Sequence, residues 1–218
     1  MKRKIKKQLK EDELATGFQK FLDFAKAWQK ELILFGVIVA GLVVLYGGFR
    51  LIRGQQVKKE SRRIGEILTL RAGLAKNPQN VAKLEQLGGT EKAGRLAAIS
   101  LATYWIEQGD LDKALAGLAK IKDNPKDFFY YQAQDLTAQV EILKGRYDQA
   151  IQILKKIEEA KPKDYLLDVV LFHHAEALEK NGQLKEAHDL YKKVQDEYAQ
   201  TYFGYDASAK VKKLESAK

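Results

Sequence analysis

Apolar positions change their rhythm three times along the chain. In residues 11–30 they fall at helical spacing, Leu14, Phe18, Phe21, Leu22, Ala25 and Trp28, with lysines and acids on the other face. That pattern suits an amphipathic helix lying in a membrane interface, or a helix resting on nothing. Residues 32–49, LILFGVIVAGLVVLYGGF, then carry no charge and are closed by Glu31 and Arg50. At about 1.5 Å per residue the run nearly crosses about 30 Å of hydrocarbon, and Leu51 and Ile52 complete the crossing. The expectation is a transmembrane helix over residues 32–52. A cleaved leader has a shorter apolar region and a small-x-small cleavage site; here about thirty residues precede the run and a polar helical pattern follows it. A buried core helix would need apolar partners all round, which no other segment supplies. Trp28 and Tyr46 stand near the ends of the run, where interfacial aromatics are favoured.

Beyond Arg50 the helical pattern persists through Val57, Ile64, Ile67, Leu68 and Leu74. It predicts a helix to about Lys76, stopped by Asn77-Pro78 because the residue before proline disfavours helical backbone. A shorter helix follows to about Leu87, Gly88-Gly89 ends it, and Thr90 is the expected N-cap of the next. Residues 53–93 therefore read as a helical connector.

From residue 94 the chain repeats. Gly109, Gly145 and Gly182 are each followed by x-[Leu/Tyr]-x-x-Ala, giving Ala114, Ala150 and Ala187. Seven residues before each glycine stands Ala102, Ala138 or Ala175. Large apolar residues recur four and seven positions after the second alanine: Leu118, Leu154 and Tyr191, then Ile121, Ile157 and Val194. This resembles the tetratricopeptide repeat, in which two antiparallel helices, A and B, approach closely at small residues and turn at glycine. The glycines are spaced 36 and 37 apart, against about 34 for the consensus, and the extra residues fall near 124–128 and 161–165. Pro162 closes the second unit, Pro125 the first one position early, and Ala199 stands where the third would have proline. Residues 205–214 read as a polar capping helix. The fold class expected is all-α: basic tail and amphipathic interfacial helix over 1–31, transmembrane helix over 32–52, connector over 53–93, and an α-solenoid of about three repeats plus cap over 94–218.

Charge changes the picture through its location. The net +9 divides into +4 over residues 1–31, +6 over 50–76 and −1 over 77–218. The basic excess flanks the membrane segment, where it meets anionic lipid, and a nucleic-acid binder would carry it on the folded domain. No cysteine is present, which excludes disulfides and thiolate chemistry. His173 and His174 point about 100° apart on a helix and cannot share one metal; His174 fills an apolar repeat position and reads as a core residue. The aromatic runs at residues 128–131 and 198–205 read as filling for the seams between repeats, with a peptide-binding pocket as the alternative. No phosphate-loop, nucleophile-elbow or dinucleotide motif occurs. No catalytic residue, metal or cofactor is expected. Gly36-x-x-x-Ala40 could support close helix contact. The expected partner-binding positions are those of helix A on the concave face: Gln132, Asp135 and Gln139 in the second repeat, Phe172, Glu176 and Glu179 in the third.

A basic amino-terminal tail, one early transmembrane helix, a helical stretch and a short divergent array together resemble the ancillary SecYEG translocon subunit family of tetratricopeptide repeat-like proteins. The resemblance implies a bacterial inner-membrane protein with a cytoplasmic tail and periplasmic repeats. It also implies protein partners among translocon subunits, a chaperone or an emerging polypeptide; an enzyme is not expected, because no catalytic constellation supports one. An envelope or division scaffold with no role in secretion is the alternative. Local charge argues the other way on topology. Arg50, Arg53, Lys58, Lys59, Arg62 and Arg63 outnumber Lys20, Lys26 and Lys30 beside the anchor, which would keep the repeats in the cytoplasm. The tail-in, repeats-out reading rests on the charged tail and on the ease with which long domains translocate.

Overall fold

The computed structural model describes residues 16, 19, 24 and 26–216. The described residues are helical and contain no strand, so the chain is all-α as expected. Most of the expected amphipathic helix, including Leu14, Phe18, Phe21, Leu22 and Ala25, lies outside the described residues, as does the tail over 1–15. Trp28 is described: it is exposed and stacks on Phe24 with ring centroids 6.0 Å apart.

The chain divides into two units, Met1–Lys59 and Glu60–Lys218. The first is dominated by helix α1 (Gln29–Ala72), whose last turns belong to the second. Along it Ile33, Phe35, Val39, Val43, Leu45, Phe49 and Ile52 are all exposed, and its most apolar stretch buries nothing. Apolar residues all round a helix with no protein cover are what hydrocarbon solvates and water does not. Among the described residues this is the one helix long and apolar enough to span a membrane.

The second unit stacks eight further helices: α2 (Gln79–Leu87), α3 (Lys92–Glu107), α4 (Leu111–Leu118), α5 (Phe128–Leu143), α6 (Tyr147–Ala160), α7 (Leu167–Lys180), α8 (Leu184–Glu197) and α9 (Tyr202–Ser216). Pairs α3–α4, α5–α6 and α7–α8 are the three repeats. Each helix packs on the next, and α3, α5, α7 and α9 also touch in series. The small and large positions of the repeat do what their sizes demand. Ala102, Ala138, Ala175, Ala114, Ala150 and Ala187 are wholly buried. Leu118, Leu154 and Tyr191 sit beside them in successive cores. Each buried leucine-class side chain contributes about 1.5–3 kcal/mol.

The three turns share one geometry. Gly109, Gly145 and Gly182 have φ of 75°, 73° and 80°. In each, the glycine N–H donates to the carbonyl three residues back and the next N–H to the carbonyl five back, as in Gly145 N to Ile142 O (3.0 Å) and Arg146 N to Glu141 O (2.8 Å). This closes helix A with a Schellman turn, and left-handed backbone makes glycine the residue of choice there.

Three local expectations are corrected and one is extended. Helix α1 ends at Ala72, not near Lys76: residues 73–76 form tight turns, and Pro78 takes the N-cap position of α2. The N-cap of α3 is Glu91, not Thr90, and its side chain makes no cap bond because it pairs with Arg63 at 2.7 Å. The cap helix starts at Tyr202 and is not merely polar, since Ala207, Val211 and Leu214 join the core of the third repeat. The helical connector also packs. Ile67, Leu74 and Leu84 form one buried cluster with Ala93, Ala97 and Leu101 of α3, so the end of α1 and α2 cover the first repeat as a further helix pair.

Candidate protein-interaction site

The expected site residues lie on α5 and α7, the A helices of the second and third repeats. Asp135 is buried and receives three hydrogen bonds: from Gln139 Nε2 (3.0 Å), Tyr165 Oη (3.1 Å) and His173 Nδ1 (2.8 Å). A carboxylate only accepts, so Nδ1 of His173 is the donor of this bond. Burial, with the charge of Asp135 and its hydrogen bond adding to it, raises the Tyr165 hydroxyl well above the usual phenol range. The network ties α5, the loop before α7 and α7 itself across the repeat boundary.

Glu179 anchors a second network. It accepts from Tyr191 Oη (2.9 Å) and Lys210 Nζ (2.8 Å), with Lys213 Nζ at 3.4 Å. Burial pushes its carboxyl upward, but Lys210, Tyr191 and Lys213 together outweigh that, and it titrates below the ordinary range. Phe172 is buried and packs edge-on against Tyr191, with Phe203 at 5.1 Å on its other side. Gln132 and Glu176 are half-buried, and Glu176 pairs with Lys180 at 3.7 Å. Of the six positions, then, Asp135 and Gln139 share one network, Glu179 holds another, and Phe172 is core.

Further groups come into play that repeat spacing does not announce. Arg95 of α3 is buried and pairs with Asp127 through Nη2 to Oδ1 (2.9 Å) and Nη1 to Oδ2 (3.0 Å), while Pro125 O accepts a further bond at 3.2 Å. Asp127 also caps α5 by accepting from the N–H groups of Phe129 and Tyr130. One acid thus joins the first repeat to the start of the second. The single signal in the sequence was an aspartate just before an aromatic run, which is an N-cap pattern. The aromatic runs do fill seams: Phe129, Tyr131, Tyr198 and Phe203 pack on the cores. Tyr202 and Tyr205 remain exposed. His174 is buried as expected, with Nδ1 3.3 Å from Glu158. Among the described residues no cluster of ligating side chains could hold a metal.

Paired helices turning at left-handed glycines, alanines at each closest approach and A helices in series define an α-solenoid of tetratricopeptide type. The chain belongs to the tetratricopeptide repeat-like domain family, whose sequence profile matches residues 23–216. Its fold is similar to that of the solved putative kinesin light chain TPR-like repeats of Podosopora anserina, at 17% identity and TM-score 0.56, covering 72% of this chain and 87% of that one. A variant of the same repeats superposes with TM-score 0.57 at the same identity and coverage. MamA AMB-1 aligns at 23% identity and TM-score 0.47, over 70% of this chain and 90% of that one. No curated protein matches the chain. Repeat folds of this kind serve as protein-interaction modules, and the likeness to the solved structures is one of fold alone.

Proposed function

We propose that the chain is a membrane-anchored interaction module that holds its repeats beside a bilayer and engages protein partners at the Sec translocon. The observation that carries this reading is the single helix α1, whose exposed apolar stretch has no protein cover and whose last turns pack, through Ile67, on the first repeat. Its layout matches the ancillary translocon subunits described above. In this reading the membrane is the bacterial inner membrane and the repeats face the periplasm, where the array receives a chaperone or an emerging chain.

The partner surface proposed is the A-helix face carrying Gln132, Gln139, Glu176 and Glu179. Asp135 and Phe172 act from beneath it, the first as the acceptor that positions Tyr165 and His173, the second as packing. The basic side chains Arg50, Arg53, Lys58 and Lys59 are exposed along α1 and meet lipid headgroups. Extraction in mild detergent followed by affinity purification of the full chain tests the reading. Co-purification of translocon subunits, lost on Gln132→Ala/Glu176→Ala, is the expected result. Recovery of envelope or division proteins without translocon subunits would make it a scaffold instead.

A further inference from the structure

We propose that the crevice between α2 and α4 is a second binding site, which takes an extended polypeptide by one large apolar side chain with a carboxylate one or two residues away. The site is separate from the A-helix face and does not depend on that reading.

The inference starts from a missing side chain. The position eight residues after the turn glycine is Ile153 in the second repeat and Leu190 in the third, and both pack against the cores of their repeats. In the first repeat the same position is Gly117. Helix α4 is also short, at 8 residues, where α6 and α8 have 14. The aliphatic plug and the last turns of the B helix are both absent. They leave an open crevice of about 700 Å³ whose lining includes Trp105, Ala98, Leu101 and Ile121. A Cβ on Gly117, or on Gly89 across the opening, would meet nothing within 4 Å. The volume lies in the range of ligand sites, and apolar lining residues of this kind accept an aromatic or aliphatic side chain.

The rim selects what accompanies that side chain. Lys113 lies over the Trp105 ring at 4.4 Å and is already held by Asp110 at 2.6 Å. Lys120 lines the crevice, is exposed, and has no side-chain partner among the described residues. The equivalent lysine of the third repeat, Lys193, is neutralised by Glu158 of the preceding repeat at 3.2 Å, whereas Lys156 of the second repeat is exposed and, like Lys120, has no side-chain partner among the described residues. Among the described residues no acid pairs with Lys120, which holds its positive charge at the mouth of the crevice. Glu85 on the α2 side sets a negative charge into the same lining. A lone carboxylate can approach Lys120 and avoid it, whereas a phosphate-rich headgroup is disfavoured. The chemistry fits an acidic-apolar peptide segment.

Random heptapeptides displayed on phage and panned on the full chain in nanodiscs test the proposal. The expected enrichment is of Leu, Ile, Phe or Met with Asp or Glu within two positions. Synthetic copies of the enriched peptides should bind about tenfold or more weakly to Gly117→Ile, which restores the residue of the second repeat, and to Lys120→Glu. Binding to the surface control Gln149→Leu should be unchanged. Gly117→Ile should also raise the melting temperature, because it fills an apolar crevice. If that variant fails to fold by circular dichroism, Lys120→Glu decides alone. No enrichment over background, enriched peptides without an acid, or undiminished binding to the variants would each overturn the site. Loss only on Gln132→Ala/Glu176→Ala would move the peptide to the A-helix face and overturn it as well.

Discussion

Single residues carry two separable kinds of information in this chain, size and charge. Size was legible. Ala138 and Ala150 lie in one buried cluster with no exposed surface, as the repeat alignment requires. Ala150→Leu forces two helices apart and should cost about 1–3 kcal/mol in a chemical denaturation of residues 60–218, while Gln149→Leu, one position away and exposed, should change little. Equal effects would mean that the helix pairing is wrong. Polar partnerships were not legible. Asp135 meets residues 30 and 38 positions away and Arg95 meets Asp127 32 away, and no periodicity in the sequence couples such pairs. The repeat pattern says which positions must be small or large within a pair, because packing recurs. It does not say which carboxylate bridges two pairs, because each bridge occurs once. His174 shows how the two kinds meet. Burial lowers its imidazole below the ordinary histidine value; Glu158 opposes the shift and Lys155 adds to it. Its neutral form is therefore favoured in the fold. Stability from this group is full above the unfolded histidine value of about 6.5 and is lost as pH falls below it through the folded value. A thermal melt series from pH 8 to pH 5 should show that decline, and His174→Leu should flatten the part above the carboxylate range.

At the scale of elements, the turns and the long apolar helix were legible and the helix ends were not. Each Schellman turn needs φ near +75°, so glycine at a fixed distance from alanine announces it. Gly145→Ala keeps the side chain in open space but strains the backbone, and should destabilise the array by about 1–2 kcal/mol, with no change in the helical content of the folded state. Where a helix stops is weaker information. In residues 111–122 only Gly117, where the other repeats have Ile153 and Leu190, hints that α4 ends at Leu118 while its counterparts run on, and Ile67, Leu74 and Leu84 of the helical connector belong to no repeat signature that would announce their packing on the first repeat. The anchor can be tested apart from packing. Val39 and Val43 are exposed, so arginine at either position removes no contact from the protein. Each substitution should cost about 2.5–3.5 kcal/mol for insertion. The double variant should leave the membrane fraction, and retention after alkaline washing would mean that something other than α1 holds the chain there.

For the whole molecule, the proposed membrane-anchored reading must place the repeats on one side of the bilayer, and two physical rules point in opposite directions. Six basic residues within about fifteen positions after the apolar run, Arg50 to Arg63, favour a cytoplasmic carboxy-terminal side under the positive-inside rule. The segment before the apolar run carries nine Lys and Arg of its own, and all of them would have to cross the bilayer if the repeats stayed inside. The rule weakens for long domains, which translocate largely regardless of charge, so the second constraint is the stronger and the repeats are expected outside. The chain has no cysteine, which makes the test clean. Ala209 lies on the exposed face of α9, beside buried Ala207 but not in the core, so Ala209→Cys adds one reachable thiol without disturbing packing. In intact cells, a maleimide that passes the outer but not the inner membrane should label it. Ala150→Cys, wholly buried, should stay unlabelled until the protein is denatured, and so reports that the array is folded during the assay. Labelling of position 209 only after lysis would put the repeats in the cytoplasm. The six flanking cations would then be the deciding feature of the chain, and a periplasmic chaperone partner would be ruled out, because the array could not meet it.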